Sequence, residues 1–376
     1  MALPVDPIAL AAALINCPSV TPARGAVFDV LESALGEQGF TVHRFFDGEP
    51  PEGPVENLVA MRGNGGPHFG FAGHLDVVPP GDGWAGDPFE AQIAEGVLIG
   101  RGANDMKSAI AAFVAAVSRI DQARGTCSLL ITGDEEGPST HGTPAIIRWL
   151  EARAIRPDMI LIGEPTSSVR LGDTVKIGRR GSVNMWISVP GTQGHVAYPH
   201  RADNPIPAVA RIVAALDALH LDEGTDAFPP SNLEFTEIAC GPSATNLIPA
   251  SASARLNIRF NNLHRGADLV RLVEELAQRE APGASVEAKI SGEAFLTPPG
   301  ELYELVVDAI REETGLTPEL STGGGTSDGR YLIALCPVVD FGLPNATMHK
   351  VGESAGVEDI QTLSRIYQRI VGRVLG

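Results

Sequence analysis

Phe69-Gly70-Phe71-Ala72-Gly73-His74-Leu75-Asp76 decides the fold: a short apolar run that stops at a histidine and an acid. The pattern recurs. Ser128 to Thr132 stops at Gly133-Asp134-Glu135-Glu136, and Met159 to Ile162 stops at Gly163-Glu164-Pro165. Between the first two lies Gly100-Arg101-Gly102-Ala103-Asn104-Asp105-Met106-Lys107, and Thr347-Met348-His349-Lys350 comes near the end. Short apolar runs bounded by turn residues read as buried strands. Open α/β sheets bind ligands beyond the carboxyl ends of their strands. Acids and histidines meeting there would form a metal site.

Working outward, Ile110, Phe113, Val114, Val117 and Ile120 recur at helical spacing, and Thr143 to Arg153 reads as a second helix. Asp6-Pro7 reads as the N-cap and first residue of an opening helix. Strands alternating with helices imply an α/β domain with a mixed, largely parallel sheet. The middle differs. Val183, Met185, Ile187 and Val189 alternate with polar residues, and a helix follows Asn204-Pro205. Strands are expected at Asn232 to Ile238 and around Leu256 to Phe260, then a helix at Asp268 to Gln278 and a strand at Ser285 to Ile290. The order β-α-β-β-α-β is that of a ferredoxin-like α+β unit. The expectation is an α/β domain over 1–180 and 294–376 with a ferredoxin-like domain inserted at 181–293.

Composition narrows the partners. With 46 acidic against 28 basic residues the net charge is −18, which disfavours nucleic acid and anionic membrane surfaces. Four scattered cysteines with no C-x-x-C fit neither a disulfide framework nor a thiolate zinc site. No basic stretch precedes the first apolar segment, and no apolar run reaches the roughly 18 residues of a membrane span. A cytoplasmic protein is expected.

His74 and Asp76 stand two apart, so they share a face of a strand, or Asp76 accepts a hydrogen bond from His74 in a tight loop and fixes its tautomer. Asp134-Glu135-Glu136 offers one carboxylate to a metal and a neighbour to take a proton from water. Singly, each of these, like Glu164 and His349, also reads as a solvated turn residue. Together, two histidines and several carboxylates without cysteine suit Zn²⁺, Co²⁺ or Mn²⁺. A shared carboxylate would make a two-metal site about 3.5–4 Å across.

These five segments resemble those of the dinuclear zinc amidohydrolases that include carboxypeptidase G2, aminoacylase and acetylornithine deacetylase. The likeness spans nearly the whole chain, including Gly178-Arg179-Arg180-Gly181-Ser182, Gly194 to His200, Phe228-Pro229-Pro230 and Gly323 to Arg330. It implies two Zn²⁺ per subunit, with Co²⁺ as a substitute. His74 and Glu164 would hold one, Glu136 and His349 the other, with Asp105 bridging and a cis peptide after it. It further implies that Glu135 is the general base, that Asp76 orients His74, and that the chain forms a homodimer through the inserted domain. His195 and Asn246 would reach the partner's site, His195 to hold the oxyanion and Asn246 to add an amide contact to the substrate. Lys176, Arg179, Arg259, Thr326, Arg330 and Asn345 would bind a small anionic succinyl-amino-acid substrate, whose amide is hydrolysed. Leu75, Asn104 and Ser108 depart from the family pattern, and none is an expected ligand. A deacylase or dipeptidase with the same metals is the nearest alternative. Gly325-Thr326-Ser327-Asp328-Gly329 also matches G-x-S-x-G, with Asp340 and His349 following in serine-hydrolase order, but the residues before it are polar and glycine-rich rather than a buried strand.

Overall fold

The computed structural model describes residues 3–241, 244–325 and 327–376. The chain forms two compact units. One holds the residues up to Ile177 with Thr297–Ser321 and Ser327–Gly376; the other holds Gly178–Leu296 and residues 322–325.

The first unit is built on a sheet of eight described strands. Their order is Thr41–Asp47, Val55–Gly63, Thr126–Thr132, His68–His74, Met159–Ile162, Val338–Asp340, Thr174–Lys176, Glu319–Ser321. The central strands pair in parallel, and Thr41–Asp47 and Val55–Gly63 add an antiparallel margin. This is the mixed, largely parallel sheet that the alternation predicts. The three runs that end in acids or histidine lie side by side: His74 is opposite Thr132, and Ala72 is opposite Ile162. Their carboxyl ends therefore emerge together.

The helix Lys107–Ser118 is buried at every position from Lys107 to Val117. It is apolar all round because it packs on the sheet and is flanked by Pro7–Ile15 and Val357–Leu375. Phe113 stacks on Phe71 with ring centroids 4.1 Å apart, and Tyr367 meets both edge-on. Asp6 caps the first helix by accepting the Ile8 N–H, with Pro7 in the first turn. No described helix is long and apolar enough to cross a membrane.

The second unit is a four-stranded antiparallel sheet ordered Asn232–Cys240, Ser251–Phe260, Gly181–Pro190, Ser285–Gly292. The helices Ile206–Asp217 and Gly266–Glu280 pack their apolar stripes on one face around Met185, Leu256, Ile212 and Val273. Strand order and alternation are those of a ferredoxin-like fold. This unit begins at Gly178, ahead of the alternating run, because Gly178–Arg179 pairs with Phe295–Leu296.

Candidate metal centre

His74 ends its strand and is almost wholly buried. Its Nδ1 lies 2.8 Å from the main-chain oxygen of Asp76. A carbonyl only accepts, so Nδ1 carries the proton and a neutral ring turns its Nε2 lone pair outward. Nε2 faces Asp105 Oδ1 at 3.1 Å and Glu164 Oε1 at 3.6 Å. His349, in the left-handed region at φ 61°, sets its Nε2 2.7 Å from Glu136 Oε1 and 3.2 Å from Asp105 Oδ2. Each oxygen of Asp105 thus meets a different histidine. Ligand atoms of His74, Asp105 and Glu164 lie within 4.8 Å of one another, as do those of Asp105, Glu136 and His349.

Glycines at two strand ends make room for this meeting. The peptide between Asp105 and Met106 is cis. Met106 is fully buried and fills the room left by two glycines at the strand ends. A Cβ on Gly73 would stand 2.5 Å from Met106 Cε, and one on Gly163 would stand 2.8 Å from Met106 Cε and 2.6 Å from Phe71 Cζ. The Asp105 loop is thereby seated beside His74 and Glu164.

Asp76 is wholly buried, and its carboxylate has a different principal contact from the one its spacing suggests. Oδ1 accepts the Glu135 N–H at 3.1 Å and Oδ2 the Glu136 N–H at 2.9 Å. Its distance to His74 Nδ1 is 3.6 Å, so the histidine is held by the main chain and the acidic turn by the side chain. Among the described residues no group donates a hydrogen bond to the Glu135 carboxylate.

Electrostatics show a cluster that holds protons where cations would fit. Burial disfavours a charged His74, but Asp105, Glu164 and Asp76 outweigh it and raise its pKa well above the usual value. Hydrogen bonds to Asp105 and Glu136 raise His349 to about 10. Burial and the neighbouring Asp328 and Glu136 push Glu135 up to about 8, against the pull of His74 and Arg330. Two histidines and three carboxylates in two overlapping triads, without sulfur, are a donor set for hard or borderline divalent cations. The residues of both triads, which share Asp105, fit such cations.

The remaining sequence candidates divide between the units. In the unit of the metal cluster, Lys176 donates to Ser321 Oγ at 3.0 Å. Arg330 lies over the Tyr331 ring and interacts electrostatically with Asp328 and Glu135. Half-buried Asn345 is fixed by its N–H to Ser167 O at 2.9 Å. In the second unit, Arg179 donates to Gly325 O at 2.9 Å, and Arg259 is half-buried near Arg180. His195 and Asn246 are exposed on neighbouring segments, with Leu247 opposite His195 and the Val196 N–H given to Asn246 O. Thr326 lies outside the described residues.

The nucleophile-elbow alternative fails. Ser327 is wholly buried, and its hydroxyl donates to Asp340 Oδ2 at 2.8 Å with no histidine to take its proton. His349 Nε2 is turned to Glu136 and Asp105 instead. Three residues around the site escaped the sequence reading. Glu353 and Arg101 form a buried ion pair at 2.6 Å, and Lys107 Nζ donates to Leu14 O and Cys17 O beneath the Asp105 loop. Arg101 and Lys107 at least stand inside a quoted motif; Glu353 is a lone loop acid with no local signal.

Residues 70–373 match the peptidase family M20/M25/M40. The chain is 64% identical over 371 residues to a succinyl-diaminopimelate desuccinylase of Sphingopyxis alaskensis, with 98% of each chain covered. It is 62% identical over 371 residues to the enzyme of that name from Rhizorhabdus wittichii, covering 99% of this chain and 98% of that one. Among solved structures, the aminopeptidase PepT of Bacillus cereus shares the fold, with a TM-score of 0.79 at 19% identity over 99% of this chain and all of the other.

Proposed function

We propose that this chain, which belongs to peptidase family M20/M25/M40, hydrolyses N-succinyl-LL-2,6-diaminopimelate to succinate and LL-2,6-diaminopimelate. The whole-length likeness to desuccinylases supports the substrate. The observation that carries the chemistry is Asp105, with one oxygen toward His74 and the other toward His349. His74, Asp105 and Glu164 would hold one divalent cation, and Asp105, Glu136 and His349 a second, Zn²⁺ in each with Co²⁺ as a substitute. When bound, the pair supplies Lewis acidity toward the amide oxygen and toward water.

The chain's own groups do the rest. Glu135, whose carboxylate accepts no hydrogen bond from the described residues, takes a proton from water as its oxygen attacks the amide carbon. It passes that proton to the leaving nitrogen when the C–N bond breaks. Asp76 keeps Glu135 and Glu136 in register through their N–H groups. Lys176, Arg179, Arg259, Thr326, Arg330 and Asn345 would contact the substrate, whose carboxylates Arg forks suit well.

The active form would be a cytoplasmic homodimer. His195 and Asn246 would serve the partner's site, with His195 donating to the oxyanion. Their exposure supports this. So does the outer strand Asn232–Cys240, whose far edge pairs with no described strand and whose Thr236, Glu237 and Ile238 are exposed. The test is a panel of succinyl, acetyl and dipeptide amides, assayed after chelation and again after metal is restored. Succinyl-diaminopimelate should be preferred, with turnover lost and regained with the metal. Preference for acetyl amides or dipeptides would replace the substrate, and activity that survives chelation would refute the mechanism.

A further inference from the structure

Glu353 stands four residues after His349, yet its side chain belongs to the loop of Asp105. Its Oε1 accepts two main-chain N–H groups, from Asn104 at 2.8 Å and from Asp105 at 2.9 Å. Its Oε2 accepts Arg101 Nη1 at 2.6 Å, and its main-chain oxygen accepts the Gly100 N–H at 3.0 Å. The strand Ser354–Gly356 continues the attachment by pairing with Val97–Ile99. Residues 97–105 and 353–356 are therefore fastened together along their length. Glu353 and Arg101 are each 1% exposed. Arg101 is itself anchored by Pro80 O at 3.0 Å and lies under Trp84.

A buried carboxylate needs partners for its oxygens and a compensating charge. Glu353 has both, and it spends two of its bonds on the backbone next to the residue that faces both histidines. We infer that Glu353, with Arg101 as its counter-charge, is a positioning residue: it sets the spacing between Asp105 and His349 and so shapes the cation position those two share with Glu136. His74 and Glu164 are carried by strand ends that Glu353 does not touch. The position they complete depends on Glu353 only through Asp105. The role is thus asymmetric, and this separates it from a general contribution to folding.

The inference rests on the metal reading above, and its test tells the two apart. Full-length protein is stripped of metal and titrated with Co²⁺, the absorption spectrum following each equivalent, with His349→Ala marking which equivalent belongs to which position. Wild type should take two equivalents; fewer would sink the metal reading itself. Glu353→Ala should weaken the equivalent that His349→Ala removes by about 10–100-fold, the usual range for partners behind metal ligands, and leave the other within about 3-fold. Glu353→Gln keeps an oxygen for the two N–H groups but turns a donor toward Arg101, so it should show the same selectivity at a few-fold. Either variant binding both equivalents like wild type, or losing both in parallel, would overturn the inference.

Discussion

Two sets of polar groups, one in each unit, are held in opposite ways. Around the metal cluster, Asp76, Arg101, Asp105 and Glu353 are nearly inaccessible, and each is held by backbone groups or an opposite charge. In the ferredoxin-like unit, His195 and Asn246 stand exposed on short segments. Geometry in the first is set by the chain itself. The two side chains of the second are open to solvent.

The largest effect should come where the rigid unit does chemistry. Glu135→Gln should lower kcat by about 10²–10⁴-fold, the range for general acid–base groups, with metal content unchanged. Glu136→Ala should instead lose metal. Elemental analysis beside turnover checks the division, and equal metal loss in both would break it. The same unit predicts a pH dependence. His74 and His349 have raised pKa values, so the metal-free protein holds protons that a cation must displace. Apparent affinity should therefore rise with pH between 6 and 9, by about tenfold per unit for each proton released. Chelator competition at several pH values measures it, and a flat profile would show the histidines to be neutral.

The open unit should respond differently. His195→Ala should lower kcat by about 10²–10³-fold, as removal of an oxyanion donor does, with metal content and melting temperature unchanged. Mixing it with the inactive Glu135→Gln protein should restore activity, because a mixed dimer contains one intact pair. No recovery on mixing would place His195 in its own subunit's site or outside any site.

Smaller effects bear on stability. Gly163→Ala would press a methyl between Phe71 and Met106 and should cost about 1–3 kcal/mol, as overpacking does, read by denaturant unfolding. In the second unit, Asp222 accepts hydrogen bonds from Gly224, Asn261 and His264. Burial works against its charge, but bonds from Ser231, Gly224 and Asn261 outweigh that and hold its pKa below the usual value. A lowered folded pKa gives stability that is present above the unfolded value of about 3.9 and lost below it. Asp222→Asn should thus cost about 1–3 kcal/mol at neutral pH, with the difference shrinking as pH falls below about 4.

Much of this was readable from local pattern. The strand ends at His74, Thr132 and Ile162 announced themselves because a buried parallel strand needs a continuous apolar run and its exit loop does not. The β-α-β-β-α-β order was legible because a half-buried strand must alternate. The margin strands Thr41–Asp47 and Val55–Gly63 were not identified individually; one has no buried position and the other is mostly buried, so neither alternates cleanly between buried and exposed. Asp76 was flagged for its spacing to His74, but its carboxylate grips the Glu135 and Glu136 backbone, a contact across 59 and 60 residues that no spacing reveals.

By itself, the order of residues indicated the central strands, the division into two units and a list of side chains able to bind a cation, since periodicity and donor chemistry are local properties. Only the tertiary structure decided which of those side chains meet and what holds them. Asp105 touches both histidines, and Glu353 grips a loop some 250 residues away, because strands distant in the chain end side by side and close contact there leaves each buried charge one place to find its partner.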